Sequence, residues 1–162
     1  FEEGVISGPL IDEISLNKVK EQVTDAVNTG AKIAVGGDVH SLGGNFFQPT
    51  VISEVTSKAK ITYEETFGPV APLYKFSNDE QVIKMANNTP YGLASYFYSR
   101  DIGRVWKVAE ALEYGIVAVN NGAPTKAEMP FGGIKESGSG REGSKYGIDD
   151  FLEIKYINMA GI

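Results

Sequence analysis

The stretch LASYFYSRDIGRVWKVAEALEYGIVAV, residues 93–119, decides the fold class of this 162-residue chain. Its first part, Leu93–Ser99, is rich in the aromatic residues that strands favour. Asp101 follows as a predicted helix N-cap, and Gly115 is predicted to end the helix before the apolar run Ile116–Val119. Between them lies an apolar stripe at helical spacing, made of Ile102, Val105, Trp106, Ala109 and Leu112. A strand, a helix and a strand in this order predict parallel pairing in an α/β sheet.

The same alternation of helices and strands extends upstream of residue 93. A first helix is predicted between Ser15, as its N-cap, and Gly30, as its stop. Its apolar residues recur at helical spacing and comprise Leu16, Val19, Val23, Ala26 and Val27. Lys32–Val35 is predicted to be a short strand.

Two extended segments and a second helix complete the first half of the chain. Phe46–Ile52 is predicted to be extended, with Pro49 favouring an edge or irregular position. Val70–Phe76 is predicted to be extended as well. Ser77 and Glu80 have the spacing of a capping box, which predicts a helix directly after them.

The last third of the chain changes in character. Phe131–Gly143 contains five glycines in thirteen residues, and a short helix is predicted near Tyr146–Phe151. Beyond it, apolar and charged residues alternate as in a half-buried strand, and its apolar face comprises Leu152, Ile154 and Tyr156. We therefore divide the chain into residues 1–151, with a mostly parallel sheet and flanking helices, and residues 152–162, a terminal strand that needs a partner such as another subunit.

Composition and charge exclude several classes of protein. Fifteen basic and 21 acidic residues give a net charge of −6, which disfavours general nucleic-acid binding and attachment to anionic lipid. No stretch approaches the roughly 20 apolar residues of a membrane-spanning helix. Because the chain has no cysteine, it contains no disulfide and no cysteine nucleophile. These features fit a cytoplasmic protein without nucleic-acid or membrane partners.

Two motifs are expected to be structural rather than chemical. His40 is the single histidine, and without a second His or any Cys we predict no metal site. Gly138–Gly143 matches G-x-G-x-x-G, but a dinucleotide fingerprint needs a strand before it and an acidic residue about 20 positions later. The preceding Gly132–Ser137 is not a strand candidate, and position 160 is Ala160. We interpret the motif as a tight loop.

Glu64 and Glu65 precede the turn Thr66-Phe67-Gly68-Pro69, and the residues alone leave two interpretations open. The pair forms either solvated loop charges or a site in which one carboxylate accepts hydrogen bonds from a diol. The two acceptor oxygens of a carboxylate suit two neighbouring ribose hydroxyls. Phe67, close by, can present an aromatic face to a planar ring.

Longer motifs resemble one family. Glu64–Pro69 (EETFGP) and Pro130–Gly143 (PFGGIKESGSGREG) resemble the two C-terminal signatures of the aldehyde dehydrogenase superfamily. Gly143–Tyr156 (GSKYGIDDFLEIKY) is closer still to succinate-semialdehyde dehydrogenases, and so are Gly8–Ile11 (GPLI) and Asn45–Thr50 (NFFQPT). The resemblance runs in register over nearly the whole chain. It implies the C-terminal part of an aldehyde dehydrogenase catalytic domain, of α/β class, followed by the family's terminal oligomerisation strand.

The resemblance also implies roles for individual residues. Glu65 resembles the glutamate that holds the nicotinamide-ribose hydroxyls, and Phe67 the aromatic residue packed near the nicotinamide. Phe131 resembles the ring that lines the substrate tunnel. Thr125 falls where succinate-semialdehyde enzymes place a serine that contacts the substrate carboxylate. Lys126 follows it where the family pattern is uncharged.

The implied reaction is oxidation of succinate semialdehyde, or a similar short aldehyde, to an acid with NADP or NAD. A cysteine thiolate adds to the aldehyde carbon, hydride leaves to the nicotinamide, and an activated water hydrolyses the thioester. The resemblance places that cysteine, the general-base glutamate and the coenzyme domain upstream of Phe1. We therefore expect no catalytic residue in this chain, no activity of the chain alone, and a homo-oligomer of the whole enzyme formed through residues 152–159. The alternatives are a naturally truncated, non-catalytic oligomerisation or regulatory module, and a dehydrogenase for another short aldehyde.

Overall fold

The computed structural model describes residues 3–161, which form two compact units that meet in sequence between Phe76 and Ser77. Each unit contains helices and its own small sheet. Two of the three strand pairs are parallel. The predicted α/β class with mostly parallel pairing is therefore confirmed, although the strands belong to two sheets.

The first unit contains one long helix and a three-stranded sheet. The helix α1 spans Glu13–Asn28, and the strands are β1 (Lys32–Val35), β2 (Thr50–Ser53) and β3 (Val70–Pro72). β2 is the central strand, antiparallel to β1 and parallel to β3. A 3-10 turn, Lys60–Thr62, lies between β2 and β3. Pro49 takes the irregular position that was one of its two predicted alternatives, directly before the central strand and not in an edge strand.

The core of the first unit combines one face of α1 with β2 and the connecting loops. Its buried residues are Leu16, Val19, Val23, Ala26, Ala31, Phe47, Ile52, Val55, Ala59 and Ile61. Each fully buried aliphatic side chain of this kind contributes roughly 1.5–3 kcal/mol relative to exposure. Val27 was expected on the buried face of α1 but is 41% exposed. Its neighbour Ala26 is the last residue of α1 on that face.

The second unit confirms the strand, helix and strand predicted for residues 93–119. It contains α2 (Asp79–Asn87), β4 (Ala94–Phe97), α3 (Ile102–Ala111) and β5 (Ile116–Val119), with β4 parallel to β5. Asp101 is the N-cap of α3, as predicted, and its carboxylate accepts a hydrogen bond from the N–H of Arg104 at 3.0 Å. That bond lowers the pKa of Asp101.

Two other predicted N-caps are wrong by one to three residues. Asp12, not Ser15, caps α1, because its carboxylate accepts from the N–H of Ser15 at 2.7 Å. Asn78, not Ser77, caps α2 by accepting from the N–H of Gln81 at 2.9 Å. In both helices an aspartate or asparagine near the predicted serine is better placed to accept from the free N–H groups of the first turn.

α3 also ends earlier than predicted. It stops at Ala111, not at Gly115, because Asn87 closes it. The Asn87 amide donates to the carbonyl of Ala111 at 2.8 Å and accepts from the N–H of Glu113 at 2.9 Å. Gly30, in contrast, directly follows the C-cap of α1 with a φ of +105°, as its prediction requires.

The C-terminal segment contains little regular structure. The predicted helix near residues 146–151 is a single 3-10 turn, Asp149–Phe151. Within the described chain, residues 152–161 form no strand pair, and Ile154 is fully exposed. The terminal strand therefore stays a prediction that needs a partner chain. None of the helices formed by residues 3–161 has the length and apolar character needed to span a membrane.

Candidate functional site

The first candidate segment, Glu64–Pro69, connects the 3-10 turn to β3 in the first unit. Its start is fixed by two contacts. The N–H of Glu64 donates to the carbonyl of Lys60 at 2.9 Å, and the Glu64 carboxylate accepts from Nε2 of Gln22 at 3.4 Å. Because Gln22 belongs to α1, the segment begins from a point held by the core.

The two neighbouring carboxylates have different surroundings. Both residues are exposed, but the Glu64 carboxylate accepts from Gln22, whereas the Glu65 side chain forms no hydrogen bond or ion pair with any of residues 3–161. Of the two, Glu65 has both acceptor oxygens available to a ligand. This arrangement supports Glu65 as the residue that holds a diol, a role that stays a prediction.

Phe67 is presented to solvent on a strained backbone. Its φ is +47°, in the left-handed region that costs a non-glycine residue roughly 1–2 kcal/mol, and its ring is 79% exposed. Gly68 and Pro69 fix the chain directly after it. A Cβ on Gly68 would lie 2.6 Å from Cγ2 of Val19, and the Pro69 carbonyl accepts from the N–H of Thr50 at 2.8 Å. Strain and an exposed ring both oppose folding, and such features concentrate at functional sites.

Glu65 and Phe67 together fit a nicotinamide nucleoside. A free carboxylate accepts two hydroxyl hydrogen bonds, and an exposed aromatic face packs against a flat ring. The residues between Glu64 and Pro69 that carry these two side chains are anchored at both ends. The two side chains therefore lie on a segment that is fixed at both ends, and their binding of a nicotinamide nucleoside stays a prediction.

The second candidate segment is the loop after β5, which carries Thr125. Asn120 begins this loop with a φ of +54°, and its side chain pairs with the backbone of Ser99. Oδ1 accepts from the Ser99 N–H at 2.9 Å, and Nδ2 donates to the Ser99 carbonyl at 2.8 Å. Thr125 itself is exposed, and its hydroxyl bonds to no atom of residues 3–161. The hydroxyl is thus available to a ligand rather than to its own backbone.

Phe131 closes the same loop and is fixed by backbone pairing. Its N–H donates to the carbonyl of Glu142 at 2.9 Å, and its carbonyl accepts from the N–H of Glu142 at 2.7 Å. The ring is half-buried and lines an open cleft of about 640 Å³ along the glycine-rich segment. Thr125 and Phe131 therefore belong to one loop, and Glu65 and Phe67 to one segment of the other unit.

The glycine-rich segment 138–143 is a structural loop, as predicted. A 3-10 turn, Lys135–Ser137, precedes it in place of a strand. Arg141 holds the loop, because its guanidinium donates to the carbonyls of Gly133 and Gly140 at 2.8 and 2.6 Å. Asp150 accepts from the N–H of Arg141 at 3.0 Å.

His40 also has a local role. Its Nδ1 accepts from the N–H of Leu42 at 3.2 Å within a turn. Across residues 3–161, no group of three or more His, Cys, Asp or Glu side chains is placed to hold a metal ion.

Sequence reasoning missed Gln22 and Asn120, the two residues whose side chains anchor the candidate segments. Both left a signal. Gln22 stands one helical turn from Val19 and Ala26, on the apolar stripe of α1, where a polar residue is unusual. Asn120 directly follows the apolar strand Ile116–Val119, and asparagine tolerates the left-handed conformation found there.

Comparisons with known proteins identify the family of this chain. Residues 1–157 match the model of the aldehyde dehydrogenase family. The chain is 56% identical to 3-sulfolactaldehyde dehydrogenase of Pseudomonas putida over 99% of its length. It is also 56% identical, over 97% of its length, to the NADP(+)-dependent succinate-semialdehyde dehydrogenase of Escherichia coli. The chain covers 33% of each of these relatives, about a third of their length.

A solved structure shows the same fold. The succinate-semialdehyde dehydrogenase of Burkholderia pseudomallei superposes with a TM-score of 0.93 at 52% sequence identity, over 96% of this chain and 32% of that one. The match to the family model covers nearly all of the sequence, and the structural match extends it to the arrangement of helices and strands. The chain therefore belongs to the aldehyde dehydrogenase family.

Proposed function

We propose that this chain forms part of a longer NADP- or NAD-dependent enzyme that oxidises succinate semialdehyde to succinate. The observation that carries this is the anchored presentation of Glu65 and Phe67 in a chain 56% identical to an NADP(+)-dependent succinate-semialdehyde dehydrogenase. Since the chain contains no cysteine, it supplies positioning, and the nucleophile comes from another part of the protein.

Each candidate residue has a defined task in this proposal. The Glu65 carboxylate accepts hydrogen bonds from the two nicotinamide-ribose hydroxyls, and the ring of Phe67 packs beside the nicotinamide. The Thr125 hydroxyl donates to the substrate carboxylate, and Phe131 forms a wall of the aldehyde pocket. When bound, the cofactor accepts the hydride that leaves the aldehyde carbon. The gain from this chain is orientation of both reactants.

A second candidate substrate is another short aldehyde with an anionic end. The relative from Pseudomonas putida, named for 3-sulfolactaldehyde, is as similar to this chain as the succinate-semialdehyde enzyme. A sulfonate and a carboxylate both accept a hydrogen bond from a hydroxyl donor such as Thr125. Both substrates are aldehydes that carry an anionic oxygen-bearing group a few bonds from the aldehyde carbon.

Residues 152–162 are proposed to join copies of the enzyme into a homo-oligomer in the cytoplasm. Leu152, Ile154 and Tyr156 are 59%, 100% and 84% exposed, which leaves an apolar strand face uncovered. An unpaired extended segment pairs readily with a second chain. Ile154→Asp in the whole protein should lower the mass measured by light scattering. An unchanged mass at every concentration would remove this segment from the interface.

The activity is tested by assaying the whole protein for cofactor reduction with succinate semialdehyde, 3-sulfolactaldehyde and butanal, each with NADP and NAD. We expect the largest kcat/KM with succinate semialdehyde. A preference for sulfolactaldehyde would select the second candidate, and no reduction with any aldehyde would overturn the proposal. The 162-residue chain alone, assayed in parallel, should give only the buffer rate because it has no thiol.

A further inference from the structure

Gln22 is a buried polar side chain in an apolar environment. It is 1% exposed and stands on the face of α1 that buries Val19, Val23 and Ala26. Its Nε2 donates to Glu64, whereas its Oε1, also buried, has no partner among residues 3–161. A buried acceptor without a partner lowers stability, so folding alone would favour an aliphatic residue here.

Gln22 is one of three polar residues of α1 that hold the approach to Glu65. Asp25 accepts from the backbone N–H of Lys60 at 2.7 Å, and Glu21 pairs with the Lys60 ammonium. The bond to Glu21 raises the pKa of Lys60. The carbonyl of Lys60 in turn accepts a hydrogen bond from the N–H of Glu64. Of these contacts, only the one from Gln22 reaches a side chain adjacent to Glu65.

We propose that Gln22 is a positioning residue for cofactor binding, which holds the Glu64 carboxylate against α1 so that the Glu65 carboxylate faces the ribose. This inference rests on the proposed function of Glu65. Without the amide, the Glu64 side chain is free to turn, and only the bond from the Glu64 N–H to the Lys60 carbonyl still fixes the chain before Glu65.

The role predicts opposite effects of one substitution on stability and on binding. Gln22→Leu keeps the approximate volume, removes the unpaired acceptor and continues the apolar stripe of α1. In the whole protein we expect an unchanged or higher melting temperature together with a Kd for NADP raised about fivefold, the scale of one hydrogen bond. The KM for aldehyde at saturating cofactor should not change. A purely structural role predicts the reverse, a lower melting temperature with unchanged cofactor affinity.

Three companion variants complete the test. Thr24→Val, on the exposed side of α1, is the matched control and should alter neither quantity. Glu64→Ala removes the acceptor of the Gln22 hydrogen bond at the surface. If Gln22→Leu fails to fold, the NADP affinity of Glu64→Ala therefore tests the positioning role. The double variant Gln22→Leu/Glu64→Ala should bind NADP no more weakly than either single variant, because each single substitution already removes the same contact.

The outcomes distinguish this inference from the proposed function. If Glu65→Gln weakens NADP binding and neither Gln22→Leu nor Glu64→Ala does, Gln22 has no positioning role and the function of Glu65 stands. If Glu65→Gln leaves NADP binding unchanged, the proposed function of Glu65 fails first. Weaker binding in all three variants, with Gln22→Leu at least as stable as the parent, supports both.

Discussion

The segment around Glu65 and the loop around Thr125 are held in different ways. The first is attached to the hydrophobic core of its unit through the Gln22 side chain at one end and the close approach of Gly68 to Val19 at the other, with backbone bonds beside both. The second is attached only through backbone-directed bonds, at Asn120, Ala127 and Phe131. A core-anchored segment resists change, whereas a loop held at a few backbone points accepts substitutions between them.

This difference separates a constant task from a variable one. Two relatives with equal identity to this chain are named for different aldehydes, succinate semialdehyde and 3-sulfolactaldehyde. In our proposal the nicotinamide nucleoside is the same in either reaction, and the core-anchored segment binds it. The aldehyde differs between the reactions, and the loop binds it.

The largest expected effect is on the core-anchored segment. Glu65→Gln in the whole protein should weaken NADP binding roughly 10- to 100-fold, because the amide loses the charge that strengthens both ribose hydrogen bonds. Isothermal titration calorimetry with NADP measures it. Glu80→Gln, an exposed acidic residue of α2, is the control and should bind normally. Equal affinities for all three proteins would make Glu65 a solvated loop charge.

Thr125→Val tests the loop by substrate rather than by cofactor. It keeps the side-chain shape and removes the donor, so kcat/KM for succinate semialdehyde should fall by roughly one to two powers of ten. Butanal, of the same carbon length but uncharged, should lose much less. If both aldehydes lose equally, Thr125 supports the loop and does not select the substrate.

Two glycines test how firmly each region is packed. Gly68→Ala places a methyl group 2.6 Å from a stiff, buried valine and should cost about 1–3 kcal/mol of unfolding free energy. Gly122→Ala, in the loop, meets Tyr98 at an ordinary 3.6 Å and should change stability by less than about 0.5 kcal/mol. Urea unfolding compares the two. Similar costs would show that the loop is as tightly packed as the core-anchored segment.

The smallest expected effect depends on pH. Glu21 raises the pKa of Lys60 above the ordinary 10.5, so their pair contributes its full stability below that pH. The contribution is lost as the pH rises through the raised pKa. The stability difference between the parent and Lys60→Met should therefore shrink from pH 8 to strongly alkaline pH. Lys126→Met, in the loop, is the control for the loss of a lysine that forms no ion pair with residues 3–161.

Elements with strong local patterns were predictable from the sequence. The aromatic strand at Leu93, the cap at Asp101 and the apolar run at Ile116 act within a few residues of one another, so local chemistry decides them. The errors arose where two neighbours compete for one task. Ser15 and Asp12 both suit a helix start, and only the finished turn shows which carboxylate or hydroxyl reaches the free N–H.

The candidate residues come from the family motif and their roles stay predictions, whereas the contacts that hold their segments could not be predicted from the sequence. The family motif identifies Glu65 over Glu64, and the structure adds a physical reason, because the contact with Gln22 joins residues 42 positions apart. No local pattern contains such a contact. The predicted terminal strand at Ile154 depends even less on local sequence, since its proposed pairing partner lies on another chain.

The paired hydrogen bonds between Asn120 and Ser99 have a consequence for how the loop can evolve. They fix where the loop leaves the sheet, and the N–H of Ser144, which donates to the carbonyl of Ala127 at 3.0 Å, fixes the next point along it. Between two fixed points, the entropy of closing a flexible loop grows only with the logarithm of its length, about 0.6 kcal/mol for each doubling. Insertions and deletions between these points are therefore thermodynamically cheap. The length of this loop, and not only its composition, is open to selection for aldehydes of different size.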